Sequence, residues 1–219
     1  MMNIAIDGPA GAGKSTIAKL VAKEKGYIYV DTGAMYRSIA LYMIRNNVNI
    51  EDDAAIKNAC DEISIDISYE AGSQQVYLNG ENVSVEIRQE QVGNMASKVA
   101  AKPVVREKLL QLQRDLAAAN NVVMDGRDIG TFVLPNANLK IYLTASVEAR
   151  ANRRYKELVE KGGNPDLEQI KADIEQRDYQ DMNRDIAPLK QAEDAVYLDS
   201  SNMDINQVVQ SIIDKINCL

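Results

Sequence analysis

Short, mostly apolar runs alternate along this chain with stretches in which apolar residues return every third or fourth position. Asn3-Ile4-Ala5-Ile6-Asp7, Tyr27 to Val30, Val122 to Met124, Leu139 to Leu143 and Ala195 to Leu198 read as five compact buried strands. Ser15 to Lys25 carries Ile17, Leu20 and Val21 at helical spacing and stops at Gly26. Ala34 to Asn46 sets Met35, Ile39, Tyr42 and Met43 on one side of a second helix. Strand and helix in repeated succession predict an α/β fold. Its expected form is an open, doubly wound parallel sheet of five strands with helices on both faces.

Between residues 63 and 87 the period changes. Ile63-Ser64-Ile65-Asp66-Ile67-Ser68 alternates by two, as does Val76-Tyr77-Leu78, and Asn79-Gly80 is a strong hairpin signal. A small antiparallel β insert is predicted there, either edge decoration or part of an acceptor-binding arm. Helix follows from about Gln89 to Ala119, broken near Pro103. A further helix spans about Ser146 to Glu160. Another follows Gly162-Gly163, with Asn164 as its expected N-cap and Pro165 as its first residue. A single domain over 1–219 is expected, with the insert at 63–87 and an arginine-rich lid at 146–164.

The first strand runs into Gly8-Pro9-Ala10-Gly11-Ala12-Gly13-Lys14-Ser15, which fits G-x-x-x-x-G-K-[ST]. Glycines let successive backbone N–H groups turn inward around phosphate oxygens. The lysine reaches the β- and γ-phosphates, the serine hydroxyl can ligate Mg²⁺, and the following helix points its positive end at the anion. Strand, loop and helix in that order make a nucleoside triphosphate site, without saying what is done with the nucleotide.

Composition narrows the chemistry. The chain of 219 residues has no histidine, which removes imidazole bases, Ser-His-Asp triads and histidine-bound zinc. A metal here would be a hard cation on oxygen ligands. The two cysteines, Cys60 and Cys218, are expected to stay reduced. No apolar run reaches membrane-spanning length and no basic-then-apolar leader is evident, so a cytoplasmic protein is expected, and a monomer for want of a long exposed apolar stripe. A net charge of −7 argues against general nucleic-acid binding. It also means that cations for a phosphate ligand must be concentrated locally.

The arginines mark where. On the helix after Pro165, Leu167, Ile170 and Ile174 form one apolar stripe, and the same stepping reaches Arg177, Asp181 and Arg184. Inward charges fit a site better than a solvated ion-pair ladder. Arg150, Arg153 and Arg154 crowd one turn of the preceding helix, and Gly162-Gly163 offers a hinge, as a lid over phosphates would need. Asp125-Gly126-Arg127-Asp128 lies at the carboxyl end of a predicted strand, where α/β folds bind ligands. Asp125 is thereby a candidate for the outer shell of Mg²⁺. In Asp31-Thr32-Gly33-Ala34-Met35-Tyr36-Arg37, Asp31 or Thr32 can cap the second helix. Arg37 in its first turn opposes the helix dipole, a mild cost that a bound anion would offset.

Taken together these segments resemble the bacterial cytidylate kinases over essentially the full length. Further carriers are Asp125 to Thr131, Ala96-Ser97-Lys98-Val99-Ala100, Val105-Arg106-Glu107, Arg177-Asp178, Asp181, Asn183-Arg184 and Ala187-Pro188. The resemblance implies Mg²⁺-dependent transfer of the ATP γ-phosphoryl group to CMP or dCMP. Gly8, Pro9, Ala10, Gly11, Ala12, Gly13, Lys14, Ser15 and Thr16 would bind ATP. Ser97, Arg106 and Asp128 would contact cytosine, Arg177 and Asp181 the pentose, and Arg37, Arg127 and Arg184 the acceptor phosphate. Thr32, Tyr36 and Gly126 would complete the acceptor site. Lys14, Arg127, Arg184, Arg150 and Arg154 would be the catalytic cations, and Ser15 with Asp125 the metal-binding groups.

Two alternatives are kept. Another P-loop kinase, acting on a different nucleoside monophosphate or a small metabolite, would share the loop but not the insert or Asp125 to Asp128. A nucleotide-gated regulatory ATPase would not need a second set of inward arginines. A guanine-type Asn-Lys-x-Asp signature is absent; Asn202-Met203-Asp204-Ile205 lacks the lysine.

Overall fold

In the computed structural model, which describes residues 1–70 and 73–219, β1 (Asn3–Asp7) enters the glycine loop and α1 (Lys14–Lys25) leaves it. β2 (Ile28–Asp31) passes without a loop into α2 (Thr32–Arg45), because Asp31 is both the last strand residue and the N-cap, accepting the Ala34 N–H at 2.9 Å. α3 (Asp53–Glu62) is capped by Asp52. β3 (Ile65–Glu70), β4 (Ser73–Leu78) and the short β5 (Glu81–Asn82) form the antiparallel insert. Residues 71 and 72 of the expected insert lie outside the described residues. Asn79 and Gly80 join β4 to β5 with φ of 50° and 85°, the left-handed pair that a two-residue hairpin requires.

A 3₁₀ turn at Glu86–Arg88 leads to α4 (Glu90–Val99) and α5 (Pro103–Ala119). The expected break at Pro103 is a helix start, since proline lacks only an N–H that the first turn leaves unused. β6 (Val122–Gly126), a π-type turn at Ile129–Val133, β7 (Leu139–Thr144), α6 (Val147–Glu160), α7 (Leu167–Asn183), β8 (Val196–Asp199) and α8 (Ile205–Asn217) complete the order. α7 starts later than expected. Asp166, not Asn164, caps the helix through the Glu168 and Gln169 N–H groups, which leaves Pro165 outside it.

Five strands form one sheet in the order β2-β6-β1-β7-β8, as the alternation of strand and helix predicted. β1 runs parallel to β7 with Ile6 opposite Ile141 and Asp7 opposite Tyr142, and β7 parallel to β8. The insert is a separate three-stranded sheet in the order β3-β4-β5.

The chain divides into two compact units, Ile28–Val122 with Met1, and Met2–Tyr27 with Val123–Leu219. In the first, α2 packs on α4, α5 and β4, and α3 on α5, burying Met35, Ile39, Met43, Ile56, Val92, Val105 and Leu109. In the second, Ile4, Ile6, Met124, Ile141 and Leu143 are fully buried strand residues, and α1 packs on α8. α6 and α7 form a helical hairpin with its own small core of Ala151, Ile170 and Ile174, packed by Val147, Tyr155, Leu158 and Leu167. Cys60 and Cys218 are both free thiols. No helix among the described residues is long and apolar enough to cross a membrane.

Candidate active site

Glycine is obligatory where the loop leaves β1. Gly8 has φ of 150°, and a Cβ there would lie 1.9 Å from the Leu143 carbonyl oxygen. Gly13, at φ 89°, is the N-cap of α1 and offers no side chain to cap the first turn of that helix. Exposed first-turn amides at the positive end of a helix are an anion site. Lys14 is buried, with its ammonium donating to the Pro9 carbonyl at 2.8 Å. Ser15 Oγ donates to Asp125 Oδ2 at 2.9 Å, which brings the hydroxyl of the loop and the carboxylate at the end of β6 together. Thr16 is exposed on α1.

Around Asp181 the expected arginines converge. Arg127 Nε donates to its Oδ2 at 2.8 Å, and Arg184 Nη1 lies 3.9 Å from its Oδ1. Burial pushes the Asp181 carboxyl up, but Arg127, Arg184 and Arg177 outweigh it and hold the group below the usual carboxylate range. Arg184 also donates to Asp128 Oδ1 at 3.3 Å and to the Ala187 carbonyl at 2.6 Å. Asp128 is buried and follows Gly126, the last residue of β6. Lys14 senses the same cluster. Burial, and after it Arg127, pulls the ammonium down to about 7, against the opposing pull of Asp125, Asp181 and Asp7.

The lid arginines part company. Arg150 is buried, with all three donor positions engaged: Nε to the Ala145 carbonyl, Nη1 to the Ala10 carbonyl of the glycine loop, and Nη2 to Asp178 Oδ2 at 2.6 Å. Arg153 donates to the Ser200 carbonyl at 2.6 Å, and Arg154 pairs with Glu157 at the surface. These three arginines, crowded as a phosphate lid would need, each have a protein partner here. Asp178 enters the sequence reading only as part of Arg177-Asp178, with no role of its own. It continues the buried i+4 row of Ile170 and Ile174, which is the signal that marks it.

In the other unit, Arg37 donates from Nη2 to Asp31 Oδ2 at 3.0 Å. The N-cap carboxylate therefore supplies the counter-charge that the helix dipole denies. Arg88, which no sequence signal singled out, donates to the same oxygen at 3.0 Å. Gln74 of β4 accepts the Asp31 N–H at 2.8 Å, so the insert is tied to the start of α2. Burial pushes Asp31 up, but Arg37, Arg88 and the Ala34 N–H together hold it below its ordinary value. Arg106, buried on α5, donates to the Ala100 carbonyl at 3.2 Å and lies 5.7 Å from the centre of the Tyr36 ring. Thr32 is buried at the start of α2, and Ser97 is half-buried on α4.

Residues 4–218 match the family described as cytidylate kinase. A cytidylate kinase of Lactobacillus johnsonii is 51% identical over 214 residues, spanning 98% of this chain and 93% of its own. One from Caldicellulosiruptor saccharolyticus is 53% identical over 213 residues, spanning 97% and 94%. Among solved structures, an uncharacterized protein from Eubacterium ventriosum matches over 99% of both chains with a TM-score of 0.56 and 12% identity, a likeness of fold alone. On the strength of a family match across nearly every residue and relatives at about half identity, the chain belongs to the cytidylate kinase family.

Proposed function

We infer that this chain transfers the γ-phosphoryl group of ATP to CMP, giving ADP and CDP. The observation that carries the reading is that the phosphate loop, with Lys14 buried, bonds through Ser15 to Asp125 at the end of β6, and that Arg127 from the same strand end pairs, with Arg184, to Asp181. A buried lysine and a half-buried arginine brought together at one end of the sheet suit an anion in common, and a phosphoryl group in transit is one.

The acceptor needs no general base. A phosphate monoester has its second pKa near ~6 and is mostly dianionic at neutral pH. The absence of histidine therefore costs the reaction nothing. The work left to the protein is alignment and charge neutralisation. Gly8 to Thr16 hold the triphosphate, with Lys14 on its terminal phosphates. Arg37, Arg127 and Arg184 take the acceptor phosphate, Arg177 and Asp181 the pentose, and Ser97, Arg106 and Asp128 the base, with Thr32, Tyr36 and Gly126 beside them. dCMP is an acceptor on the same footing. Arg150 is read as the strut that ties α6 to the loop through Ala10, and Arg154 as the lid arginine available to phosphate. Residues 146–164 form the moving lid, with Gly162 at φ 82° as its hinge.

The residues present suit Mg²⁺. No cluster of three or more His, Cys, Asp or Glu side chains among the described residues could cage a metal, but Ser15 and Asp125 are already within hydrogen-bond reach of each other. Mg²⁺ commonly takes one or two protein oxygens and completes its shell with water and phosphate. Ser15 would be its direct ligand and Asp125 would orient its water; when bound, the ion supplies neutralisation of phosphate charge. A cytoplasmic monomer that binds nucleotides and not nucleic acids completes the proposal.

Cytosine presents an amino donor where uracil presents a carbonyl. The buried Asp128 carboxylate accepts from the first and repels the second, and an unpaired buried polar group costs a few kcal/mol. ADP release measured across CMP, dCMP, UMP, AMP, GMP and dTMP should be confined to the cytosine nucleotides. Asp128→Ala should cut the CMP-over-UMP ratio of kcat/KM by roughly tenfold or more. Turnover limited to another base, or hydrolysis indifferent to any acceptor, overturns the reading.

A further inference from the structure

Asp7 ends β1, one residue before the phosphate loop, and it has no part in the reading above. Its carboxylate is almost fully buried. Both oxygens accept backbone amides from a segment more than a hundred residues away: Oδ1 from Ile129 N–H at 2.8 Å and Oδ2 from Gly130 N–H at 2.7 Å. That segment directly follows Arg127 and Asp128. Its π-type turn closes when the Phe132 and Val133 N–H groups donate to the Asp128 carbonyl, which leaves the Ile129 and Gly130 amides at the open start of the turn. Asp7 fills that place as an N-cap residue would, but from another strand.

Gly130 is shaped to the contact. A Cβ there would lie 3.3 Å from Asp7 Oδ2 and 3.0 Å from the Lys140 Cδ. The groups facing Asp7 are Lys14 from the loop, Asp128 from the segment it holds, and Tyr142 opposite it on β7. Lys140 directs its ammonium to Asp194 instead, and Lys14 its own to Pro9. Burial, against the two amides, raises the Asp7 carboxyl to about 6. The fold thus tolerates an ionised carboxylate that burial disfavours. Both oxygens of that carboxylate are spent on two successive amides of one segment, so what it holds is that segment.

We propose that Asp7 is a positioning residue for acceptor recognition: through the Ile129 and Gly130 amides it fixes Arg127 and Asp128 relative to the strand that carries the phosphate loop. The proposal rests on the assignment of Arg127 and Asp128 to the acceptor nucleotide. A carboxylate that grips both amides sets the direction in which the Asp128 side chain leaves the chain. A carboxamide offers one oxygen to two donors, and its NH₂ faces an N–H, so the segment can rotate.

The test is Asp7→Asn in the full chain, with kcat and KM for CMP, UMP and ATP and the thermal midpoint at pH 8. KM for CMP should rise and the CMP-over-UMP ratio of kcat/KM fall, each by about tenfold, since small displacements of a recognising group are costly. KM for ATP should stay within about twofold, and the midpoint should be no lower than that of the wild type, because removal of a disfavoured buried charge offsets the weakened amide contact. Gly130→Ala attacks the same contact from the other side and should give the same signature if Asp7→Asn does not accumulate. A lowered midpoint with equal losses on CMP and UMP makes Asp7 merely structural and overturns the proposal, as does an unchanged ratio. Asp128→Ala, run alongside, separates the failures. If it too leaves the ratio unchanged, the acceptor assignment is at fault; if it collapses the ratio and Asp7→Asn does not, only the positioning role is lost.

Discussion

Asp7 and Asp31 occupy matching places in the two units. Each ends a parallel strand, each is about 5% exposed or less, and each accepts backbone amides at the start of a helical turn. Their carboxyl groups nevertheless move in opposite directions. Asp7 is raised to about 6, because two amides and the more distant Lys14 fall short of its burial. Asp31 is lowered, because burial there is outweighed by two guanidinium groups on one of its oxygens. Depth of burial therefore does not decide the charge state of a carboxylate in this fold. Direct contact with arginine does. One consequence is a division of labour: Asp31 stabilises its unit while ionised, and Asp7 holds its charge against the stability of its own.

The sharpest break in that comparison is Asp31→Ala. It removes the cap of α2, worth about 1 kcal/mol. It also strands the partly buried Arg37, and Arg88 to a lesser degree because that side chain is more than half exposed. Urea unfolding at pH 7 should show a loss of about 3 kcal/mol. A loss under about 1 kcal/mol would mean that the arginines do little for Asp31 beyond what water would do.

Next in size is the pH dependence. Asp7, with its carboxyl raised, contributes stability that is present below about pH 4 and lost as pH rises through about 6. A two-unit shift is about 3 kcal/mol, and a weakened amide contact takes back about 1, so above that window Asp7→Asn should be more stable than the wild type by about 2 kcal/mol. Asp31 has the reverse sign: its contribution is present above about pH 4 and is lost as pH falls below that. Asp31→Asn should therefore lose most at neutral pH and converge with the wild type in acid. Thermal unfolding of both variants from pH 3 to pH 8 gives two difference curves that must slope oppositely. Parallel curves would dissolve the contrast.

Arg88→Ala is the smallest test. Its exposure limits the ion pair to about 0.5 kcal/mol in urea unfolding. Arg37 should then carry Asp31 alone, and the acid limb of the stability profile should shift only slightly. An effect as large as that of Asp31→Ala would make Arg88, and not Arg37, the principal partner.

Much of this was legible before any coordinates. β1, β6 and β7 are mostly apolar, with Lys140 the polar residue inside β7, because both faces of a parallel sheet are covered, and such runs are hard to mistake. The glycine loop is legible because its backbone needs glycine at particular positions, and Asn79-Gly80 because only a left-handed pair closes that hairpin. The convergence of Arg127, Arg177 and Arg184 on Asp181 was foreshadowed by the charged end of an inward helix face. Helix α7 shows the limit. Asn164-Pro165 carries a start signal, but Asp166 is the residue whose side chain meets the Glu168 and Gln169 amides in the fold. The partners Arg150 and Asp178, Arg88 and Asp31, and Asp7 with Gly130 left no trace at all. Nothing in local spacing relates residues 28, 57 or 123 positions apart.

By itself the sequence determined what depends on local chemistry: the order of strands and helices, the phosphate loop, the hairpin, and the supply of arginines in a chain without histidine. Those follow from backbone sterics and from periodicity, which act over a few residues. Only the tertiary structure decided which arginine meets which carboxylate, that Arg150 is committed to the loop and Asp178, and that two equally buried aspartates carry their charge on opposite terms. Those follow from desolvation and Coulomb attraction, which depend on distances that the fold alone sets.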